Sequence, residues 1–415
     1  GRYYQARQKP LTVHSVEVKG NERTKAGLFA KVLEPIYRSG TLDDLRVRCL
    51  EANAVLHQYG IFEQVNILCD AGPREHPDCA DVVVEVVEKK MLNLRGGAYV
   101  SQSREGSLEL SAGLNNALGF AEKVDFEVIQ GHERSSTYTL AWNQPRVGNS
   151  DVDVVTRAFQ QVSCSKRLSS FAETSRGVSV SAAGGGPATI DYSLVWREIA
   201  DPTRLASRAV RHQLGHSLKS AVKYTVAGDA RDHPVRPTRG HLWRLRSELA
   251  LGADQMMACF FKQEAEVAGA HFLAEGVTLA VSGKLGAILP LGTVARGDSR
   301  GTSIADRFFL GGVGSLRGFE PHGACPSDQR RAPKNPEAAA AEGYCARDAV
   351  GGDFLAVGFA AIQLEPSFQK LRDLGIYAHV FANVGTCVPI GTPGTNGTAA
   401  KAAAGAAAVA RAGAA

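Results

Sequence analysis

The sequence predicts an α+β domain followed by an all-β barrel of the membrane-spanning kind. Residues 11–90 read strand, helix, helix, strand, strand. From Met91 the chain changes to about thirteen segments of about ten residues whose side chains alternate apolar and polar, the period of a two-faced strand. Trp142, Trp196 and Trp243 fall near segment ends or on the apolar face, where anchors at a membrane interface sit.

Composition sets the outer bounds. At 415 residues, 44% hydrophobic and 21% charged, the chain has room for two domains and an ordinary balance for a folded protein. It contains no apolar run long enough for a helical span, but a barrel strand needs only about 9 to 11 residues and escapes that test. The 47 basic and 42 acidic residues are spread without a basic block, which gives no reason to expect nucleic acid. The eight cysteines include no Cys-x-x-Cys, so free or packed thiols are expected; Cys69 and Cys79 flank a short loop at a spacing that would permit a bridge. The chain opens at Gly1 without a methionine, so nothing about sorting is read from its amino end.

In the first unit, Thr12 to Val18 alternates Val13, Ser15 and Glu17 with His14, Val16 and Val18, and Lys19-Gly20-Asn21 turns out of that strand. Lys25 to Ile36 places Leu28, Val32 and Leu33, with Phe29 and Ile36, on one helical stripe. Leu42 to Tyr59 does the same with Leu45, Cys49, Ala52, Val55, Leu56 and Tyr59, and Gly60 supplies a left-handed cap. Strands are expected at Phe62 to Cys69 and Ala80 to Glu88.

In the second unit, Val124, Phe126 and Val128 oppose Lys123, Asp125 and Glu127; Ile190, Tyr192, Leu194 and Trp196 oppose Thr189, Asp191 and Ser193. Similar alternation runs through Ser107 to Leu114, Leu218 to Val226, Trp243 to Leu249 and Val277 to Leu285. So many charges cannot share a dry core, since each unpaired one costs several kcal/mol, and their face needs water. A soluble antiparallel sheet also alternates; the number of segments, too many for one ordinary sandwich, favours the barrel. Phe354 to Leu364 and Ile376 to Ala382 read as further strands. Beyond Pro389 the chain turns to Gly, Thr and Ala, and residues 391–415 read as a low-complexity Ala/Gly tail, a loop or disordered segment.

The most informative stretch is Asp306-Arg307-Phe308-Phe309-Leu310-Gly311-Gly312-Val313-Gly314-Ser315-Leu316-Arg317-Gly318-Phe319. An arginine between strands of this kind is expensive to place inside a barrel unless it is held there. Arg317, Gly318 and Phe319 resemble the signature of the BamA-type superfamily of outer-membrane barrel-assembly proteins, and Ser303 to Leu310 resembles its mitochondrial branch. The order of elements over residues 11–90, with Gly60-Ile61-Phe62-Glu63-Gln64-Val65, is similar to a POTRA domain. Arg-Gly-Phe alone would fit a surface hairpin whose glycines only make turns; Asp306 to Leu310 in front of it argues otherwise.

The resemblance implies a POTRA domain over 11–90, a transmembrane barrel over 91–390 and a lumenal loop over about 290–352. It implies about sixteen strands, so roughly three closing strands would be missing here. In the loop, the fork of the Arg317 guanidinium would clamp carboxylates of the barrel wall; in bacterial relatives these lie on late strands, which would be among those missing here, so no partner is assigned to Arg317. Gly311, Gly312 and Gly318 would let the backbone turn, Phe319 would pack beside the arginine as a wedge, and Asp306 and Arg307 complete the expected latch. The strand Met91 to Tyr99 would close the barrel, with Leu92, Leu94, Gly96, Gly97 and Tyr99 forming its seam. Its two glycines fit either a packing accommodation or a loose edge to which a client strand adds.

Gly215-His216-Ser217-Leu218-Lys219-Ser220, Asp229-Ala230-Arg231-Asp232 and Pro237-Thr238-Arg239-Gly240 also resemble a strand, turn and strand opening of the family; His216 reads as a satisfied polar group rather than a metal ligand. Enzyme motifs are weak: Gly312 to Gly318 misses the dinucleotide pattern, and Gly-x-Ser-x-Gly and His-Glu-x-x-His do not occur. No catalysis, cofactor or metal is therefore expected.

The implied role is insertion and folding of β-barrel proteins in the mitochondrial outer membrane by strand templating at the seam. The POTRA domain would face the intermembrane space, and the partners would be unfolded barrel clients, peripheral assembly subunits and the bilayer, without nucleic acid. Two rivals remain at this stage: a polypeptide-conducting channel, as in chloroplast import or two-partner secretion, and a soluble β-rich binding module.

Overall fold

A computed structural model describes residues 10–72, 79–100, 106–131, 135–252, 257–291, 302–333, 345–366 and 368–390. The 391–415 tail lies outside these described residues. The amino-terminal unit contains β1 (Thr12–Lys19), α1 (Ala26–Tyr37), α2 (Leu42–Gln58), β2 (Phe62–Ala71) and β3 (Cys79–Glu88), its sheet ordered β1-β3-β2 with β1 parallel and β2 antiparallel to β3. The α1 stripe Phe29, Val32, Leu33 and Ile36 packs with Leu45, Cys49, Ala52 and Leu56 of α2 over Val82, Val84 and Val86 of β3. Thr41 caps α2 by accepting from the Asp44 N–H at 3.2 Å, and Gly60 at φ +67° ends the turn beyond it.

In β1 the strict alternation expected from sequence would set Val13 opposite Val16 and Val18. A register shift between Val13 and Ser15 rotates the strand so that all three valines pack on the core. All eight cysteines are free; Cys69 lies nearest Cys49, with sulfurs 3.9 Å apart, while the Cys79 thiol meets Thr12 Oγ1 at 3.2 Å. Burial and the neighbouring Cys69 push the Cys49 thiol up to about 12.

The second unit is one thirteen-stranded sheet. Its strands are β4 (Leu92–Val100), β5 (Gly106–Asn115), β6 (Lys123–Gly131), β7 (Ser136–Gln144), β8 (Asp153–Cys164), β9 (Ala172–Ala183), β10 (Ala188–Ala200), β11 (Gly215–Asp229), β12 (Gly240–Ala250), β13 (Phe260–Ala274) and β14 (Val277–Pro290). An inserted segment carrying the short pair β15 (Ser327–Gln329) and β16 (Arg347–Ala349) follows, then β17 (Phe354–Leu364) and β18 (Ala378–Val388). Neighbours pair antiparallel in chain order, and β4 and β18 are left as edges, so the sheet is not closed among the described residues.

The two faces separate as the alternation requires. On β10, Ile190, Tyr192, Leu194 and Trp196 are exposed on the outer face, whereas Val195, Arg197 and Ile199 are buried inside. Among the described residues no helix is long and apolar enough to cross a membrane.

The β5–β6 turn joins the two units. Asn116 Nδ2 donates to Thr24 Oγ1 at 2.8 Å, the Lys25 N–H donates to the Gly119 carbonyl at 3.0 Å, and Ala121 enters the core of the first unit. Gly119 is required there: at φ +87° a side chain is strained, and its Cβ would stand 2.6 Å from the Arg23 carbonyl. Arg146, after β7, adds a hydrogen bond to Gln58 at 2.9 Å.

Candidate functional site: the lumenal loop and the open edge

The inserted segment returns to the inner face of the sheet and is held at four levels. At the first, Asp306 is buried and accepts two hydrogen bonds from Arg197 on β10, each 3.0 Å long. Lys219 on β11 adds a third at 2.9 Å and also pairs with Glu248 of β12. Lys262 of β13 donates to the Asp306 carbonyl at 3.0 Å and stands 4.3 Å over the Phe308 ring. Two strands thus supply cations to one buried carboxylate, a third supplies Glu248 to share Lys219, and a fourth holds the backbone of the same residue through Lys262.

At the second level, Phe308 exchanges both backbone hydrogen bonds with Gly352 at 2.9 Å and lays its ring on Gly286 of β14, where a Cβ would come within 2.5 Å of the ring. Arg307 points to the segment's own neighbours, donating to Thr302 Oγ1 at 2.9 Å and the Val350 carbonyl at 3.3 Å.

At the third level the loop turns. Gly311 and Gly312 adopt φ of +122° and +97°, and a Cβ on Gly311 would stand 2.4 Å from the Glu320 carbonyl, so the turn needs glycine. Leu310 and Leu316 then rest on Gly385 of β18, which leaves room for both.

The carboxylate that the resemblance places on late strands is not among the described residues. Among them the partners of Arg317 are His379 Nε2 at 2.9 Å and the rings of Phe359 and Phe381, whose centroids lie 4.8 and 4.9 Å from the guanidinium. Asn383 fixes the Arg317 carbonyl at 3.1 Å. The planar cation is gripped by π faces and an imidazole on β17 and β18. Phe319, expected as the wedge beside it, is 42% exposed, and wall aromatics take that part. Gly318 follows at φ +89°.

The fourth level lies beyond the sheet's loop-side ends. Arg330 pairs with buried Asp348 at 2.6 Å, Asp348 accepts from the Ser207 N–H at 2.7 Å, and Asp328 accepts from the Ala209 N–H at 3.0 Å.

Sequence reasoning located the loop but not its sockets. Arg197 continues the lumenal period Asp191, Ser193, Val195 beyond the point where the apolar stripe ends at Trp196, and that continuation was a readable signal. Phe359 and Phe381 carried a weaker one: β17 is apolar on both faces, as a strand must be when its inner face receives a packed loop. The turn stretch behaves as its residues suggest, with Arg231 paired to Asp229 at 2.7 Å, Gly240 at φ +99°, and His216 5.5 Å from the Trp196 ring.

The seam residues lie on the open edge. Every residue of β4 is exposed, Leu92 at 53% and Leu94 at 69%, and among the described residues β5 is its only strand neighbour in the sheet. A Cβ on Gly96 would touch Leu110 at 3.4 Å, but one on Gly97 would meet nothing within 4 Å. Packing among the described residues therefore does not require the second glycine.

An α/β unit docked on a thirteen-stranded two-faced sheet, with an ion-paired loop packed against the inner face, defines a β-barrel membrane protein with an internally latched loop. Residues 116–414 match the Omp85 superfamily domain. The chain is 33% identical over 332 residues to the sorting and assembly machinery component 50 homolog of Bos taurus, covering 77% of this chain and 67% of that protein. It is 33% identical over 330 residues to the homolog of Homo sapiens, with the same coverages, and 27% identical over 406 residues to a SAM50-like protein of Schizosaccharomyces pombe, covering 94% and 80%. Its fold is similar to that of BamA from Haemophilus ducreyi lacking POTRA domains 1–3, at a TM-score of 0.74 and 16% identity, over 91% of this chain and 72% of that one. The chain belongs to the Omp85 superfamily, in the mitochondrial branch of the component 50 homologs, as Ser303 to Leu310 implied.

Proposed function

We propose that this protein inserts and folds β-barrel proteins in the mitochondrial outer membrane, and that it does so by offering β4 as a template strand. The single observation that supports the mechanism is the place of β4: among the described residues it lies at an end of the sheet beside β5 and holds Gly97, where an added Cβ would meet nothing within 4 Å. In a medium without water, the free N–H and C=O groups of an edge and those of an entering client strand share one need, so pairing is driven by backbone satisfaction and asks for no particular client side chains. The work needs no cofactor and breaks no covalent bond. The amino-terminal unit faces the intermembrane space in this reading, and peripheral subunits of the same assembly are its further partners.

A conducting channel is the weaker reading, because the inserted loop is fixed to the inner face at three levels and to the β10–β11 connection at a fourth. The test is crosslinking in a version whose reactive native cysteines are replaced. Single cysteines along Leu92 to Tyr99 should join the carboxyl-terminal strand of an arrested client in a regular register. Crosslinks confined to lumenal positions such as Asp191 or Ser193 would overturn the templating mechanism in favour of conduction.

A further inference from the structure

On the outer face, away from the loop, one cation stands among apolar side chains. Residues paired directly across strands point to the same face, so Tyr138, Gln160, Arg176, Trp196 and Leu218 form one outward row across β7 to β11. The adjacent outward row is Leu140, Ala158, Val178 and Leu194. Ala158 is the smallest member of that row, and above it lies an open groove of about 580 Å³ whose lining includes Phe126, Leu140, Val178, Leu194, Trp196 and Arg176. The row on the other side of Arg176 carries Thr174, Glu198 and His216, so the outward apolar band of β10 ends at this level.

Arg176 is exposed, and among the described residues no ion pair or hydrogen bond of the structure engages its side chain. In the membrane-barrel reading this face, with its rows of exposed apolar side chains, meets lipid hydrocarbon. A guanidinium at the margin of hydrocarbon seeks an anion, and the anion that occurs at that depth is a lipid phosphate, whose oxygens match the guanidinium fork. Trp196, directly paired with Arg176, is the kind of ring that sits at headgroup level.

We propose that Arg176 and the groove over Ala158 bind one anionic glycerophospholipid of the surrounding bilayer. Its phosphate sits on Arg176, with the Gln160 amide as a second donor, and an acyl chain lies along Ala158 between Leu140, Val178 and Leu194. The groove is open and apolar along its length, with Arg176, among the described residues, as the one charged side chain in its lining, which fixes the direction of the lipid. The proposal rests on the outer face meeting lipid, and the experiment separates the two.

The full chain is reconstituted in phosphatidylcholine vesicles with Trp142→Phe and Trp243→Phe, which leaves Trp196 as the sole tryptophan. Brominated-chain phosphatidylglycerol should quench Trp196 several-fold more strongly than brominated phosphatidylcholine at equal mole fraction. Arg176→Gln should bring the two lipids level, and Ala158→Phe, which fills the groove, should remove the excess quenching with Arg176 intact. Equal quenching by both lipids in the parent protein, or an anionic preference that survives Arg176→Gln, overturns the site. Quenching by neither lipid overturns the lipid-facing assignment itself.

Discussion

Arg197 and Asp306 face each other 109 residues apart in sequence, and both oxygens of the carboxylate are held at 3.0 Å by the two terminal nitrogens of one guanidinium. Both side chains are almost wholly buried, 5% and 3% exposed. Charges so placed stabilise only as a matched set, because each alone would be a desolvated ion. Asp306 is thus the residue whose loss leaves most unsatisfied: Arg197 and Lys219 would both lose it.

Asp306→Ala should therefore lower stability by about 3–5 kcal/mol, the range for removing one member of a buried pair. Denaturant unfolding of the reconstituted protein measures it, and an unchanged midpoint would refute the socket.

Arg317→Ala and Arg317→Lys should both slow assembly of a porin-type client while leaving the amino-terminal unit folded. Lysine keeps the charge but not the plane that meets Phe359 and Phe381, a contact worth about 0.5–2 kcal/mol. Client assembly at the parental rate in both variants would remove Arg317 from the mechanism.

Leu194→Arg, on the outer face, should impair membrane integration by an amount that rises from about 1 kcal/mol near the interface toward about 2–4 kcal/mol at the midplane, whereas Ser193→Arg, directed to the inner face, should cost little. Equal effects, or the opposite order, would contradict the facing of β10.

Glu88 predicts a pH dependence for the first unit. Burial raises its pKa, but hydrogen bonds from Thr24 and Arg23 outweigh burial and hold the carboxyl below its usual range. A depressed carboxylate contributes stability that is present above its unfolded pKa, about 4.3, and is lost as pH falls through the lower folded value. Glu88→Gln should accordingly lower the melting temperature at neutral pH, and the gap from the parent protein should narrow as pH drops below about 4. A gap that is constant with pH would assign the effect to shape rather than charge.

The sequence by itself determined the order of elements, the two-faced character of the sheet and the place of the inserted loop. Each of these is written in local periods: the stripe Phe29, Val32, Leu33 and Ile36 needs only one helix, and Ile190, Tyr192, Leu194 and Trp196 need only one strand. The glycines at 311, 312 and 318 were legible for the same reason, since positive φ is a local demand. Only the tertiary structure decided what holds the loop. Arg197, Lys219 and Lys262 converge on Asp306 because four strands lie side by side at one register, and register is a relation between segments that no single segment encodes. The same holds for Arg317: no single segment names its partner, and among the described residues the strands that reach it present His379, Phe359 and Phe381, and a cation takes the partner that geometry brings within reach.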